Sequence, residues 1–469
     1  MALAYSWRVR FASTLCCVAL AYACGPGVDL AARPCQKLAC NDAPPTACRE
    51  DQTLHRFENP GRCRLETGQC EYREVVELCP AGCANPQRCN MPGDVLFSRS
   101  LLAWHLVTLD AERWLTATYD ALVILNRAGQ TVRTLPFPAE IAGEPVSELA
   151  ATPSGAIVVR TVGHYDSGDE RVVLLNDSGE LLWLETQPHP GIMGKGNEKL
   201  SIDLDDTVYF AGRSSLVAIE ANGHVRFRLP YALAPLIIAL RSGVALVACD
   251  VACRGYNPID GALLWQQPAT GQAEFVIFDD AGEVVVTSGK TLTKLDAAAG
   301  TVLTTLELAP TAVHVANYAL LTDHAGGLVV GLSTRNSDFV YSQSLLRIRQ
   351  ADLQIILERD TTQEDWIYPS VVTAAGSSYG IGYCSGTTPN TEIQCLAALD
   401  VNFAPTWQVL TDDGENGAGS VSEPMLDEQG NVWIASVWTG VMKVVALEPL
   451  ADSSWPQVRA DNRNAGRAR

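Results

Sequence analysis

Positive charge, helical periodicity and long apolar runs are all scarce in this chain. Its 34 Lys and Arg stand against 53 Asp and Glu, a net charge of −19. That acidity disfavours nucleic acid and anionic lipid headgroups as partners. No segment sustains a 3.6-residue apolar period, so few helices are expected. Beyond the first 23 residues no apolar run reaches membrane-spanning length. Histidine is sparse, at seven, and never falls into the H-x-x-x-H or H-E-x-x-H spacing of a zinc hydrolase. No two cysteines have the C-x2-C spacing of a zinc site. Met193 to Asn197 holds a glycine-flanked Lys195 but lacks the Walker spacing, and reads as a loop.

The first 23 residues have the form of an export leader. Arg8 and Arg10 precede an apolar stretch from Phe11 to Ala23, which ends in the small-x-small triplet Ala21, Tyr22, Ala23. Cys24 follows, so residues 20–24 resemble a bacterial lipobox with Cys24 as the acylated residue. Ala21 and Tyr22 stand where that motif usually has Leu and a small residue. Lipid at Cys24 would anchor an exported protein in the periplasm or at the cell surface.

Cysteine usage agrees with export. Of fifteen cysteines, two lie in the leader. Eight crowd together: Cys35, Cys40, Cys48, Cys63, Cys70, Cys79, Cys83 and Cys89. This density marks a disulfide-stapled module in an oxidising compartment, with connectivity left open. Apart from Cys24, the remaining four form two close pairs, Cys249 with Cys253 and Cys384 with Cys395. Each pair reads as a staple across a hairpin. A redox-active pair usually has two intervening residues and a helix N-terminus, and neither feature is visible.

Residues 100 to 450 are built on a repeat of roughly forty residues: strand-like run, polar turn, second strand-like run, glycine turn. One turn ladder passes through Asp110, Gly155, Asp206, Gly243, Gly282, Gly326, Gly376 and Gly430. The other passes through Gly129, Gly179, Gly223, Gly261, Gly300, Asp352, Asn402 and Glu448. Repeated strands of this period predict an all-β, eight-bladed β-propeller preceded by a small disulfide-rich module. Seven blades, with a terminal unit outside the ring, is the alternative. The expected boundaries are leader 1–23, tether 24–34, module 35–90, propeller 93–450 and tail 451–469. Units 326–376 and 376–430 are long, and residues 333–338 read as extra loop.

The aromatic that follows several turns suggests a family. Asn176, Gly179 and Trp183 show the pattern, as do Asp260, Gly261 and Trp265; Asn222 to Phe227 and Asp400 to Trp407 are weaker copies. With the tail containing Trp455, Pro456, Asp461 and Gly466, the chain resembles the PQQ-like propeller family. That family includes a periplasmic lipoprotein of the outer-membrane barrel-assembly machine. The resemblance implies that these aromatics pack between blades. Its enzyme members hold a quinone and a calcium, and the alcohol dehydrogenases cap the quinone with a disulfide between adjacent cysteines. Cys16 and Cys17 are adjacent but lie in the leader, so the cofactor site is carried over to no residue and no cofactor is expected.

Two acidic loops are weak calcium candidates: Asp203, Asp205 and Asp206, and Asp412 with Asp413. Both read first as solvated turns, since no EF-hand-like glycine or closing Glu follows the first of them. Residues 376–380 match G-x-S-x-G, but a strand follows where a nucleophile elbow needs a helix. Trp433 and Trp438 read as packing residues. The function expected is a non-enzymatic scaffold for a protein, peptide or glycan, held to a membrane by lipid and binding no nucleic acid. A quinone- or metal-dependent enzyme and a structural surface protein remain the other classes.

Overall fold

In the computed structural model the described residues run from 39 to 451, less 50–51, 65–66, 68, 86, 100, 102, 104, 162–168, 188–199, 213–214, 231–236, 324, 336–340, 362–365, 386–391, 412–421 and 437–439. The leader, Cys24, Cys35, the tail beyond Ala451 and the loop of Asp412 and Asp413 therefore lie outside the described residues. The chain forms two compact units, one ending at Cys89 and the other beginning at Asn90.

The first unit has little core. A three-stranded sheet joins Ala47–Cys48, Thr53–Phe57 and Glu74–Leu78, with two short hairpins beside it. Among its described residues Leu54 is the one fully buried aliphatic, while Val75, Val76 and Leu78 are exposed. Covalent staples make up the difference. Cys40 is bonded to Cys70, Cys48 to Cys83 and Cys79 to Cys89, and Cys63 is also disulfide-bonded.

The second unit is a closed ring of eight four-stranded antiparallel sheets, and the described residues contain no helix. Blades 1 to 7 span residues 105–136, 146–187, 200–230, 237–268, 275–307, 314–361 and 366–410, each laid down from the innermost strand outward. Blade 8 differs. Residues 425–445 supply three strands, and Val95–Arg99 pairs with Gly440–Val445 as the outermost. The eighth rung of the second turn ladder, near Glu448, therefore leads to no fourth strand. Residues 446–451 instead run beside blade 7, where Leu450 bridges Thr373 and the Ala451 N–H donates to Val372. Blade 6 brings a second correction. Ser333, Thr334 and Arg335 are not loop; they continue the nine-residue strand Gly327–Arg335.

Apolar side chains from adjoining blades merge at every junction, including blade 8 with blade 1, where Trp433 stacks on Trp114 at 4.3 Å. A β-bulge interrupts the pairing of the third and fourth strands in every blade. Beside it the outer strand presents one side chain to the next blade's turn. Phe97, Trp183, Phe227, Trp265 and Trp407 occupy that position, resting on Gly129, Gly223, Gly261, Gly300 and Gly93 respectively. All five glycines have positive φ. A Cβ on Gly300 would sit 2.4 Å from the Trp265 ring, so backbone conformation and space both call for glycine. In blades 5 and 6 the same register holds Thr304 and Leu357 instead. The next blades' positive-φ residues are then Leu353 and Phe403, whose own side chains are buried. Either the outer strand or the turn fills the junction.

Candidate interaction faces

Because each blade is an antiparallel meander, its first and third turns emerge on one face of the ring. The middle turn and the blade-to-blade connection emerge on the other.

On the first face the turns are short and bonded to their neighbours. The Ser154 N–H donates to Asp206, the Ser242 hydroxyl to Asp203, and Arg241 to the Gly282 carbonyl. The Asp280 N–H donates to Gln350, and Arg127 lies 3.8 Å from Glu428 across the blade 8 to blade 1 junction. Beneath these turns, blades 5, 6 and 8 repeat one buried ion pair. It joins an Asp at the start of the first turn to a cation on the third strand: Asp279 with Lys294 at 2.6 Å, Asp323 with Arg347 at 3.2 Å, and Asp427 with Lys443 at 2.8 Å. Lys294 also donates to the Gln350 carbonyl, and Arg347 to the Gly376 and Val401 carbonyls, all on the next blade. In blades 3 and 7 the cation's register holds Ala218 and Ala398, paired with Tyr209 and Tyr379. The Tyr209 hydroxyl donates to the Pro258 carbonyl at 2.9 Å, again reaching the next blade. Burial pushes both phenols above their usual range.

These turns are also acidic. Every blade contributes at least one Asp or Glu to them; Arg127 is the one Lys or Arg between the strands, with Arg113, Arg226, Arg241 and Arg349 near the strand ends beside them.

The calcium candidates of blade 3 lie here and do not converge. Asp203 accepts from Leu204 N–H and Ser242, Asp205 bonds Arg226 at 2.7 Å, and Asp206 accepts from Ser154. Among the described residues the one grouping of three or more potential metal ligands is Cys48, Cys79 and Cys83, which the disulfides engage.

The second face carries the middle turns and the blade-to-blade connections. Beneath it, blade 2 holds a buried charge cluster that sequence inspection did not find. Arg160 lies between Glu148, at 2.9 Å, and Glu170. Arg160 donates to the Ala211 carbonyl, and Glu148 accepts from the Leu200 N–H, so the cluster ties blade 2 to blade 3. A half-buried carboxylate, Glu274, accepts from the backbone and side chain of Asn317 and ties blade 5 to blade 6; its partial burial raises its pKa. A lone Glu or Arg in a strand-like run carries no period or spacing to flag it.

Cys249 and Cys253 are directly paired across the middle turn of blade 4, disulfide-bonded and buried. Cys395 is disulfide-bonded as well; Cys384 stands on the neighbouring strand, and its side chain lies outside the described set. Ser378 of the G-x-S-x-G match opens a strand and is buried, in a hairpin rather than an elbow. Trp433 is fully buried and donates to Asp427 at 3.0 Å, while Trp438 lies outside the described residues.

No protein-family model and no characterised protein sequence matches the chain. Solved structures do. Sqt1 of Saccharomyces cerevisiae matches with a TM-score of 0.51 at 12% identity, over 76% of this chain and 100% of that one. BamB from Moraxella catarrhalis gives 0.49 at 12% identity, over 75% and 99%. The WD40 domain of SCAP from fission yeast gives 0.46 at 12% identity, over 75% and 97%. At this identity the likeness to Sqt1 supports the fold alone.

Proposed function

We propose that this chain is an exported, lipid-anchored and non-enzymatic scaffold, a propeller of the PQQ-like type that offers its faces to a protein, peptide or glycan. One observation carries the reading. The buried ion pairs of blades 5 and 6 and the charge cluster of blade 2 bond across blade junctions, so these groups hold a platform together. Groups used in this way do not converge on a cleft where a substrate would react. The stapled first unit supports a placement outside the cytoplasm.

Two measurements test the proposal. The purified native protein should be colourless and free of stoichiometric metal; calcium together with a quinone absorption would overturn the scaffold in favour of an oxidoreductase. Cys24→Ser should move the protein from the membrane fraction to the soluble one; retention in the membrane would overturn the lipid anchor.

A further inference from the structure

The short turns are polar or alanine-bearing almost everywhere, as solvated hairpins should be. Blades 3 and 4 break the rule. Leu204, in the first turn of blade 3, is 65% exposed; Val244, in the first turn of blade 4, is 56% exposed; Ile259, in the third turn of blade 4, is 65% exposed. A single exposed aliphatic is ordinary. Three on adjoining turns form a patch.

The bonds already described hold these turns together. Leu204 follows Asp203, which accepts from Ser242, two residues before Val244. Arg226 reaches from Asp205 to the Tyr209 hydroxyl, and that hydroxyl donates to Pro258, the neighbour of Ile259. The other large apolar side chains exposed in the turns of this face are Val401 and Met91, on blades 7 and 8. A rim of Asp205, Asp206, Glu220 and Asp260 surrounds the patch, against Arg226 and Arg241.

We propose that the short-turn face over blades 3 and 4 docks a segment of a partner protein that carries apolar side chains beside Lys or Arg. The aliphatics supply the area removed from water, and the rim selects the sign of charge. A second copy of this chain is the wrong occupant, because it would bring the same acidic turns against this face. Nucleic acid is excluded on the same ground. The turns are bonded to each other, so the surface is preformed and binding orders little of it.

The test uses the full-length protein in the cell that makes it. A photo-crosslinking residue replaces Val244 in one variant and Asp120, on the opposite face, in another. The expected result is an adduct at Val244 whose sequenced peptide contains apolar residues beside at least two Lys or Arg. That peptide, made synthetically and dye-labelled, should bind the purified protein. Its affinity should fall at least tenfold for the folded Leu204→Ser, Val244→Ser, Ile259→Ser triple variant, and should weaken as salt screens the rim. Adducts at position 120 with none at 244 would overturn this inference and leave the scaffold reading standing. Adducts at neither position would overturn both. A neutral or acidic peptide, a second copy of the chain in the adduct, or unchanged affinity for the triple variant would each overturn the docking site.

Discussion

At the scale of single residues, the ring is built on an exchange of volume. Where the outer strand offers an aromatic, the following turn is glycine; where it offers Thr304 or Leu357, the turn supplies Leu353 or Phe403. Trp265→Ala should empty the junction over Gly300 and cost about 3–5 kcal/mol, read as a lower denaturation midpoint. Lys294→Met leaves Asp279 buried without its cation and should cost about 3–5 kcal/mol; adding Asp279→Asn should recover part of that loss. Glu274 carries a sign that can be checked. Burial raises its folded pKa, so the native state favours the protonated acid, and its ionised form costs stability as pH rises through that pKa. Wild type should therefore lose stability relative to Glu274→Gln as pH rises through and above the usual glutamate range, and a difference constant with pH would disprove the burial argument. The glycine–aromatic copies were legible in the sequence, because a turn residue and its aromatic lie within a few positions. The apolar patch was not, because Leu204 stands among three aspartates and only exposure distinguishes it.

At the scale of elements, local pairing was legible and remote pairing was not. Strand, turn and strand follow one another directly in sequence, so period and glycine spacing give eight units, of which seven are complete blades. The eighth is completed by Val95–Arg99, far from Gly440–Val445 in sequence, and five strand-like residues carry no mark of their partner. Glu448 looked like a turn because Leu447 does turn the chain, with φ of +64°. Starting the chain at residue 90 should preserve the melting transition of the ring. Starting it at residue 101 should remove the outer strand of blade 8 and the Phe97 packing on Gly129, lowering the melting temperature and promoting aggregation through the bared edge. Equal melting of the two would show that the strand is dispensable.

At the scale of the whole molecule, two kinds of stability sit in one chain. The first unit has Leu54 and its disulfides; the ring has an apolar junction between every pair of neighbouring blades. Reductant should therefore unfold residues 39–89 at a denaturant concentration that leaves the ring intact, followed by hydrogen exchange. Simultaneous loss of both units would refute the division. Cysteine density made that module legible, while its connectivity depends on which loops come together and stayed open until the fold was known.

The latch of blade 8 also sets an order of events during synthesis. Val95–Arg99 leaves the ribosome well before its partner strand, with some 340 residues between them. At ordinary elongation rates that is a wait of roughly 20 to 70 seconds. Through that interval the growing chain is an open arc, with one unpaired strand at its start and an unfinished blade at its end. A ribosome that stops early releases an arc that cannot close, so the bared edge of blade 8 distinguishes an unfinished copy from a finished one.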